Sequence, residues 1–111
     1  MNNLHPLYWA ERTPEKPAWW FADQATSYQE LAKNMLKGAH WLRKQGIKSG
    51  DTVAIVAENR NEFLFFFWSA QICGVYFTPI SVQYKTREIN QILSNCQAKA
   101  IAFSPKQKHK I

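Results

Sequence analysis

The feature that most constrains this chain is an uncharged run of 22 residues, 63–84, which reads FLFFFWSAQICGVYFTPISVQY. A run of this length is long enough to cross a bilayer if it forms a single helix. Gly74 and Pro79 argue against one continuous helix, because glycine favours helix ends and proline interrupts helices. We therefore interpret the run as a buried helix followed by a buried strand. The alternative is a small membrane-anchored or interaction protein that uses residues 63–84 as an apolar span.

Apolar patterning in the rest of the chain predicts alternating helices and strands. The predicted elements are a β-hairpin at 18–27 and then, in order, helix 28–45, strand 52–57, helix 60–73, strand 75–80, helix 87–96 and strand 99–103. Asp23 and Gln24 are the predicted hairpin turn. The order αβαβαβ after the hairpin implies an α/β fold with parallel strands and helices packed on the sheet.

Capping residues mark the expected helix boundaries. Ser27 and Glu30 have the spacing of a capping box, in which the serine hydroxyl accepts a backbone N–H and the glutamate reaches back to the cap. Asn59 is predicted to cap the second helix and Thr86 the third, while Gly74 should end the second. That second helix carries large apolar residues on almost every side, so we expect it to be buried nearly all round.

The net charge of +6 belongs to the C-terminal end. Residues 85–111 carry six basic side chains and one acidic one, whereas residues 1–84 carry eight and seven. Half of the late cations lie in the last six residues, which we expect to form a solvated tail. A nucleic-acid site needs basic residues interleaved with aromatic ones, so we expect no nucleic-acid partner.

The residues by themselves show no catalytic constellation. The four glycines are scattered, so no loop rich in glycine, serine and threonine can cradle a phosphate. The three histidines lie far apart and have no acidic or hydroxyl partners near them in sequence. Cys73 and Cys96 lack metal-ligand spacing and fit a reducing, cytoplasmic compartment, with peripheral membrane contact left open. We expect no catalytic residue and no metal site.

Several sequence blocks resemble the adenylate-forming superfamily, the AMP-dependent synthetases and ligases. The blocks are HPLYWAERTPEKPA at 5–18, TSYQEL at 26–31, GIKSGDTVAIVA at 46–57, ENRNEF at 58–63 and WSAQICGVYFTPIS at 68–81. They are similar, in family order, to its opening segment, its first core motif, its Gly-Asp-x-Val strand, its helix-capping segment and its second core motif. The resemblance covers about residues 4–104 and is strongest to fatty acyl-CoA synthetases.

The resemblance implies a two-step reaction. A carboxylate attacks the α-phosphate of ATP to give an acyl-adenylate and pyrophosphate, and the CoA thiol then displaces AMP. Full-length relatives use ATP, Mg²⁺ and CoA, and they place the phosphate loop, the metal site and a mobile lysine downstream of the region that this chain covers. We therefore expect the 111-residue chain to be inactive alone and to bind none of these cofactors without the rest of the synthetase fold, its expected partner.

The resemblance also assigns roles to individual residues. Those with structural roles are Ser27, Glu30, Asn59, Gly74 and Pro79. Pro79, Ile80 and Ser81 are expected near the CoA tunnel, although the family often has Asn or Asp at the position of Ser81.

The expected organisation has three parts. Residues 1–27 form an opening segment and hairpin, 28–104 a partial α/β AMP-binding domain, and 105–111 a basic tail outside the family pattern. Three parallel strands leave two unpaired edges, so we expect the fold to continue with further βα units.

Overall fold

The computed structural model describes residues 4–58 and 61–110. Its helices are α1 (Pro6–Arg12), α2 (Tyr28–Lys44), α3 (Asn61–Cys73), α4 (Thr86–Cys96) and a 3₁₀ helix (Pro105–Lys110). Its strands are β1 (Pro17–Phe21), β2 (Gln24–Ser27), β3 (Thr52–Val56), β4 (Tyr76–Ile80) and β5 (Ala100–Phe103). This order confirms the predicted hairpin followed by αβαβαβ.

Strands β1 and β2 form an antiparallel hairpin that packs against α2 and contacts α3 through Trp19. Its turn is Ala22 and Asp23, with φ of 52° and 66°, one residue earlier than predicted. Alanine has no preference for positive φ, which is why the sequence did not place it in the turn. The Trp19 indole N–H donates to Asn61 Oδ1 at 2.9 Å and so ties the hairpin to the start of α3.

Helix α2 begins at Tyr28, directly after its predicted N-cap. The Ser27 hydroxyl accepts the N–H of Glu30 at 3.1 Å, which confirms Ser27 as the N-cap. The next two N–H groups, of Tyr28 and Gln29, donate to carbonyls of residues 16 and 14. The proline-bounded segment before the hairpin thus satisfies donors that a helix start leaves unpaired.

Helices α2 and α3 end with the same motif. Gly46 has φ of +83°, and the N–H of Ile47 donates to the Leu42 carbonyl. After α3, Gly74 has φ of +67° and the N–H of Val75 donates to the Ala70 carbonyl. Each is a Schellman motif in which glycine takes the left-handed position, so the predicted helix end at Gly74 is confirmed.

The three later strands form a parallel sheet in the order β4-β3-β5. Val53 is in register with Phe77 on one side and Ala100 on the other. The two faces of the sheet are covered by different helices: Val53 packs with residues of α2 and α3, whereas Ala54 and Val56 pack with α4. Covered faces explain why β3 has no polar alternation.

Helix α3 is less buried than its sequence suggested. Only Ser69 and Ala70 are fully buried, and its aromatic side chains are half-buried. The rings of Phe63, Phe66 and Phe67 surround Phe77 of β4, with centroids 5.5–6.0 Å away. Large rings arranged around one strand residue keep their outer faces in contact with solvent, so the expectation of burial nearly all round was wrong.

The uncharged run of residues 63–84 does not form a single helix. It is divided between α3, strand β4 and the turn that follows. Within the described ranges, no helix has the length and apolarity needed to span a bilayer. The structure therefore gives no support to the alternative of an apolar anchor.

Helix α4 begins differently from the prediction. Its N-cap is Lys85, and Thr86 is the first helical residue. The Glu88 carboxylate accepts the N–H of Lys85 at 3.3 Å, so a side chain of the first turn stabilises this helix start. Ile89 is fully buried against the sheet. The predicted cap of α3, Asn59, lies outside the described residues.

Candidate functional site

The carboxyl ends of the three parallel strands meet at one edge of the sheet. Val56 of β3 is in register with Ile80 of β4 and Phe103 of β5. The residues that follow these strands are Ala57 and Glu58, Ser81, and Ser104. In open parallel sheets, ligands bind outside the carboxyl ends of the strands. We therefore treat this carboxyl edge as the candidate site.

The residues expected near the CoA tunnel reach this edge in different ways. Pro79 is exposed on β4, an edge strand, where its missing N–H costs no ladder bond on the open side. Ile80 is buried in the core, so its side chain cannot contact a ligand directly and can contribute only by positioning Ser81. Ser81 is exposed, and its hydroxyl accepts the N–H of Gln83 at 3.2 Å. A contact of these residues with CoA stays a prediction.

The C-terminal residues lie across the carboxyl edge. The Gln107 amide N–H donates to Glu58 Oε1 at 3.1 Å, and the Lys110 ammonium donates to the carbonyl of Val82. The 3₁₀ helix therefore connects the segment after β5 to the segments after β3 and β4. Lys106, Lys108 and His109 are exposed, as expected of a solvated tail, but Gln107 is only 8% exposed, so the tail is not solvated throughout. The lysines of this segment led us to expect solvent exposure. The side chains of Gln107 and Lys110 instead contact residues that are distant in the sequence.

The Glu58 carboxylate is the charged group at this edge that both Ser104 and Gln107 contact. The Ser104 side chain beside its carboxylate, then its own backbone N–H and the Gln107 amide, lower the pKa of Glu58 to about 2. Gln107 Oε1 is also buried, without a hydrogen-bond partner among the described residues. Buried polar atoms are normally paired, so this amide oxygen has unused hydrogen-bonding capacity.

A cavity of about 330 Å³ opens beside this cluster, between α3 and the ends of β3 and β5. We call it the β5 cavity. Its walls are largely apolar and include Ile55, Phe63, Phe66, Ala102 and Phe103, with Ser104 among the lining residues. A concave apolar space with a few polar groups is the usual form of a small-molecule site.

Neither of the hydrogen bonds that hold the 3₁₀ helix across the carboxyl edge involves a histidine side chain, although His109 belongs to that helix. The Nδ1 atom of His5 accepts the N–H of Leu7 at 3.2 Å and caps α1, and the imidazole ring lies 5.4 Å from the Trp68 ring. Burial lowers the pKa of His5, which agrees with a neutral ring that accepts this bond. His40 and His109 are exposed. In residues 4–58 and 61–110, no three His, Cys, Asp or Glu side chains are grouped as metal ligands.

Sequence reasoning missed Glu58, Ser104 and Gln107. Glu58 and Ser104 directly follow apolar runs predicted as strands, and this position could have identified them as residues of the carboxyl edge. Gln107 had no such signal, because its partner Glu58 is 49 positions away.

The sequence of this chain is similar to one protein-family model and to several curated proteins. The protein-family model described as AMP-binding enzyme matches residues 7–111. Tyrocidine synthase 3 of Brevibacillus parabrevis is 33% identical over 88 residues, which make up 79% of this chain and 1% of that protein. Crotonobetaine/carnitine–CoA ligase of Proteus mirabilis is 32% identical over 78 residues, which make up 70% of this chain and 15% of the ligase.

A solved structure shares the fold. The fatty acyl CoA synthetase of Mycobacterium tuberculosis superimposes with a TM-score of 0.87 at 24% identity, over 95% of this chain and 21% of the synthetase. The chain thus spans from 1% to 21% of the length of these three proteins.

Proposed function

Because this chain belongs to the AMP-binding enzyme family, the adenylate-forming synthetases and ligases, we propose that it is the N-terminal part of an ATP-dependent acyl-CoA synthetase. The complete enzyme would join a carboxylate to ATP, release pyrophosphate and pass the acyl group to CoA. The observation that carries this proposal is the match over residues 7–111, to which the similarity to a CoA ligase and the fatty acyl CoA synthetase fold add support. A fatty acid is the proposed carboxylate.

A second candidate is a segment of a tyrocidine synthase-like protein. The 33% identity to tyrocidine synthase 3 favours it, and this value is close to the 32% found for the CoA ligase. Both candidates form adenylates, and they differ in whether CoA receives the acyl group. A test of function must therefore measure adenylate formation and thioester formation separately.

The described residues fit a role in supporting the fold. Ser27, Gly74 and Pro79 shape the ends or edges of elements, and Ser81 brings a hydroxyl to the carboxyl edge. In the complete enzyme, ATP and Mg²⁺ would be held by segments outside residues 1–111, since this chain has no glycine-rich phosphate loop. We assign residues 28–104 to the α/β portion of that domain and place the enzyme in the cytoplasm.

A chimera tests this function. Residues 7–104 would replace the structurally equivalent segment of the Mycobacterium tuberculosis synthetase, and ATP–pyrophosphate exchange and acyl-CoA formation would both be measured. We expect the chimera to retain both activities. Exchange without thioester formation would favour the second candidate, and a folded chimera that forms no adenylate would overturn both. The unmodified enzyme is the control.

The isolated chain gives a second measurement. With ATP, Mg²⁺ and a series of fatty acids, we expect the purified 111-residue chain to release no carboxylate-dependent pyrophosphate. Release above that of a heat-inactivated sample would show that the phosphate chemistry is present in these 111 residues, contrary to the proposal.

A further inference from the structure

The solvent-facing side of α2 concentrates positive charge. Residues 31–50 contain five basic side chains and no acidic one, while the rest of residues 1–84 contain three basic and seven acidic ones. Four exposed positions of α2 recur at intervals of four, three and four and so form one row along the helix: Lys33, Lys37, His40 and Lys44. Within the described part of the chain, the lysines of this row form no ion pair. The row therefore leaves its charge available to a partner.

Two large apolar side chains flank the row. Leu36 is 48% exposed and Trp41 is 44% exposed. At 3.6 residues per turn, Leu36 falls on one side of the row and Trp41 on the other. We call the row and these two side chains the α2 face. A partner that fits this face offers anionic groups to the lysines and apolar surface to a leucine and a tryptophan.

The packing of α2 fixes where this face points. Leu31, Met35 and Leu42, on the opposite side of the helix, are almost fully buried, so α2 cannot rotate to cover the two exposed apolar side chains. Helix α2 leads into the start of β3, and Leu42 packs with Val53, the second residue of that strand. The end of the face that carries Lys44 is thus near the amino ends of the strands. A partner bound to the α2 face leaves the carboxyl edge accessible.

Anionic lipid offers both kinds of contact that the face requires. Its headgroups attract lysine side chains near the membrane surface, and the attraction falls off within a Debye length. Tryptophan is enriched at membrane interfaces, where long lysine side chains keep their methylene groups on apolar surface and their ammonium groups in water. Nucleic acid offers phosphates to the lysines and bases to Trp41, but no comparable apolar region for Leu36. The combination favours a lipid surface.

We propose that the α2 face docks this chain on the surface of a bilayer that contains anionic lipid. The lysines of the row lie at the headgroups, and Leu36 and Trp41 lie at the apolar boundary. The contact is peripheral, and salt weakens it because the attraction to the lysines is screened. This inference goes beyond the proposed function and uses no residue of the carboxyl edge, so either proposal can fail without the other.

Vesicle sedimentation measures the lipid preference. The purified 111-residue chain is mixed with vesicles of phosphatidylcholine alone, or of equal parts of phosphatidylcholine and phosphatidylglycerol, and bound chain is separated by centrifugation. We expect binding to the anionic vesicles to be about tenfold tighter or more, and to be lost when the ionic strength rises from about 0.1 M to about 1 M. Equal or undetectable binding to the two kinds of vesicle would overturn the proposal. So would tighter binding to a DNA duplex than to anionic vesicles at the same phosphate concentration.

Two variants of equal net charge locate the contact. The test variant replaces the three lysines of the row with glutamate. The control replaces three exposed lysines elsewhere: Lys16→Glu, Lys99→Glu and Lys108→Glu. Each replacement lowers the net charge by two, so both variants are neutral where the parent carries +6. We expect the test variant to lose about tenfold or more in affinity for anionic vesicles and the control less than about threefold. Equal losses would show that net charge binds the lipid, which refutes the role of the α2 face.

A single substitution tests the apolar contact. In Trp41→Ala we expect the affinity for anionic vesicles to fall about fivefold, because an interfacial side chain is lost. Trp20→Ala, which removes a 67% exposed tryptophan from the hairpin, is the matched control and should bind as the unmodified chain does. Circular dichroism checks that each variant is folded. If the variant with three glutamates does not fold, this pair decides, and undiminished binding by a folded Trp41→Ala chain overturns the assignment to the α2 face.

Discussion

Gly38 of α2 lies directly against Ser69 of α3, so that a Cβ atom on Gly38 would stand 2.1 Å from the Ser69 hydroxyl oxygen. That hydroxyl lies 2.8 Å from both the Met35 and the Phe65 carbonyl oxygens, so its single hydrogen is shared between two acceptors. The two helices thus meet at a point where one has no side chain and the other has a small polar one. This contact explains a glycine at the midpoint of an otherwise regular helix.

Gly38→Ala is therefore expected to destabilise the chain, although alanine is the better helix former by about 1 kcal/mol. The added methyl group must displace a hydroxyl that is held in place, and overpacking of this kind costs about 1–3 kcal/mol. Urea denaturation of the variant and of Lys33→Ala, an exposed control in the same helix, measures the effect. A Gly38→Ala chain more stable than the parent would show that the helices can separate at little cost.

The two glycines at helix ends should differ in their sensitivity to substitution. Gly46→Ala adds a Cβ that meets no atom within 4 Å, so its cost of about 1 kcal/mol comes from the positive φ alone. Gly74→Ala adds a Cβ only 2.8 Å from the Ser49 hydroxyl and should cost more. Thermal unfolding of both variants gives the order. Equal losses would mean that Ser49 moves aside freely.

Gln97 is a position where a glycine can be introduced rather than removed. It follows α4 with φ of 53°, a conformation that glycine adopts without strain. We expect Gln97→Gly to stabilise the chain by about 0.5–1 kcal/mol, despite the greater entropy of the unfolded glycine chain. Denaturant midpoints measure the change, with Gln91→Gly inside the exposed face of α4 as a control that should be destabilising. A loss of stability in Gln97→Gly would contradict the predicted strain.

Phe77 should contribute far more to stability than its neighbour Tyr76. Phe77 is surrounded by three phenylalanine rings of α3, whereas Tyr76 is 69% exposed on the other face of the same strand. We expect Phe77→Ala to cost about 2–4 kcal/mol and Tyr76→Ala about 0.5 kcal/mol. Equilibrium unfolding compares them directly. Similar losses would indicate that the aromatic cluster does not hold α3 on the sheet.

The lowered pKa of Glu58 leads us to expect that the free energy of unfolding depends on pH. The pKa of Glu58 falls from its ordinary value of 4.5 to about 2 on folding, chiefly because the Ser104 side chain hydrogen-bonds the carboxylate. The unfolded chain therefore binds a proton first as the pH falls, so the stabilisation is complete above pH 4.5 and is lost progressively towards pH 2. Glu58→Gln has no such group, and its free energy of unfolding should decline less than that of the parent in this window.

Gln107→Ala provides the intermediate case for this measurement. It removes the amide that donates to Glu58 Oε1 but leaves the carboxylate and Ser104 in place. We expect its loss of stability between pH 4.5 and 2 to lie between those of the parent and Glu58→Gln. Parallel pH profiles for all three chains would show that the ionised Glu58 contributes nothing to folding.

Local patterns in the sequence determined most of the secondary structure. Periodic apolar positions in α2, short apolar runs in β3 to β5, and the Ser27 and Gly74 signals each depend on residues close together in the chain. They predicted the αβαβαβ order and the parallel strands because few topologies connect such elements. The motif blocks identified the family for the same reason, since each block is contiguous.

The tertiary structure alone decided the features that depend on distant partners. Ala22 adopts positive φ because the strand pairing requires a two-residue turn, and the aromatic residues of α3 are only half-buried because they gather around Phe77. The carboxyl edge depends on contacts between residues up to 49 positions apart, including Gln107 with Glu58. Neither residue type has a local preference that marks such a contact. The β5 cavity and its buried serine therefore follow from the packing of elements, which no local pattern encodes.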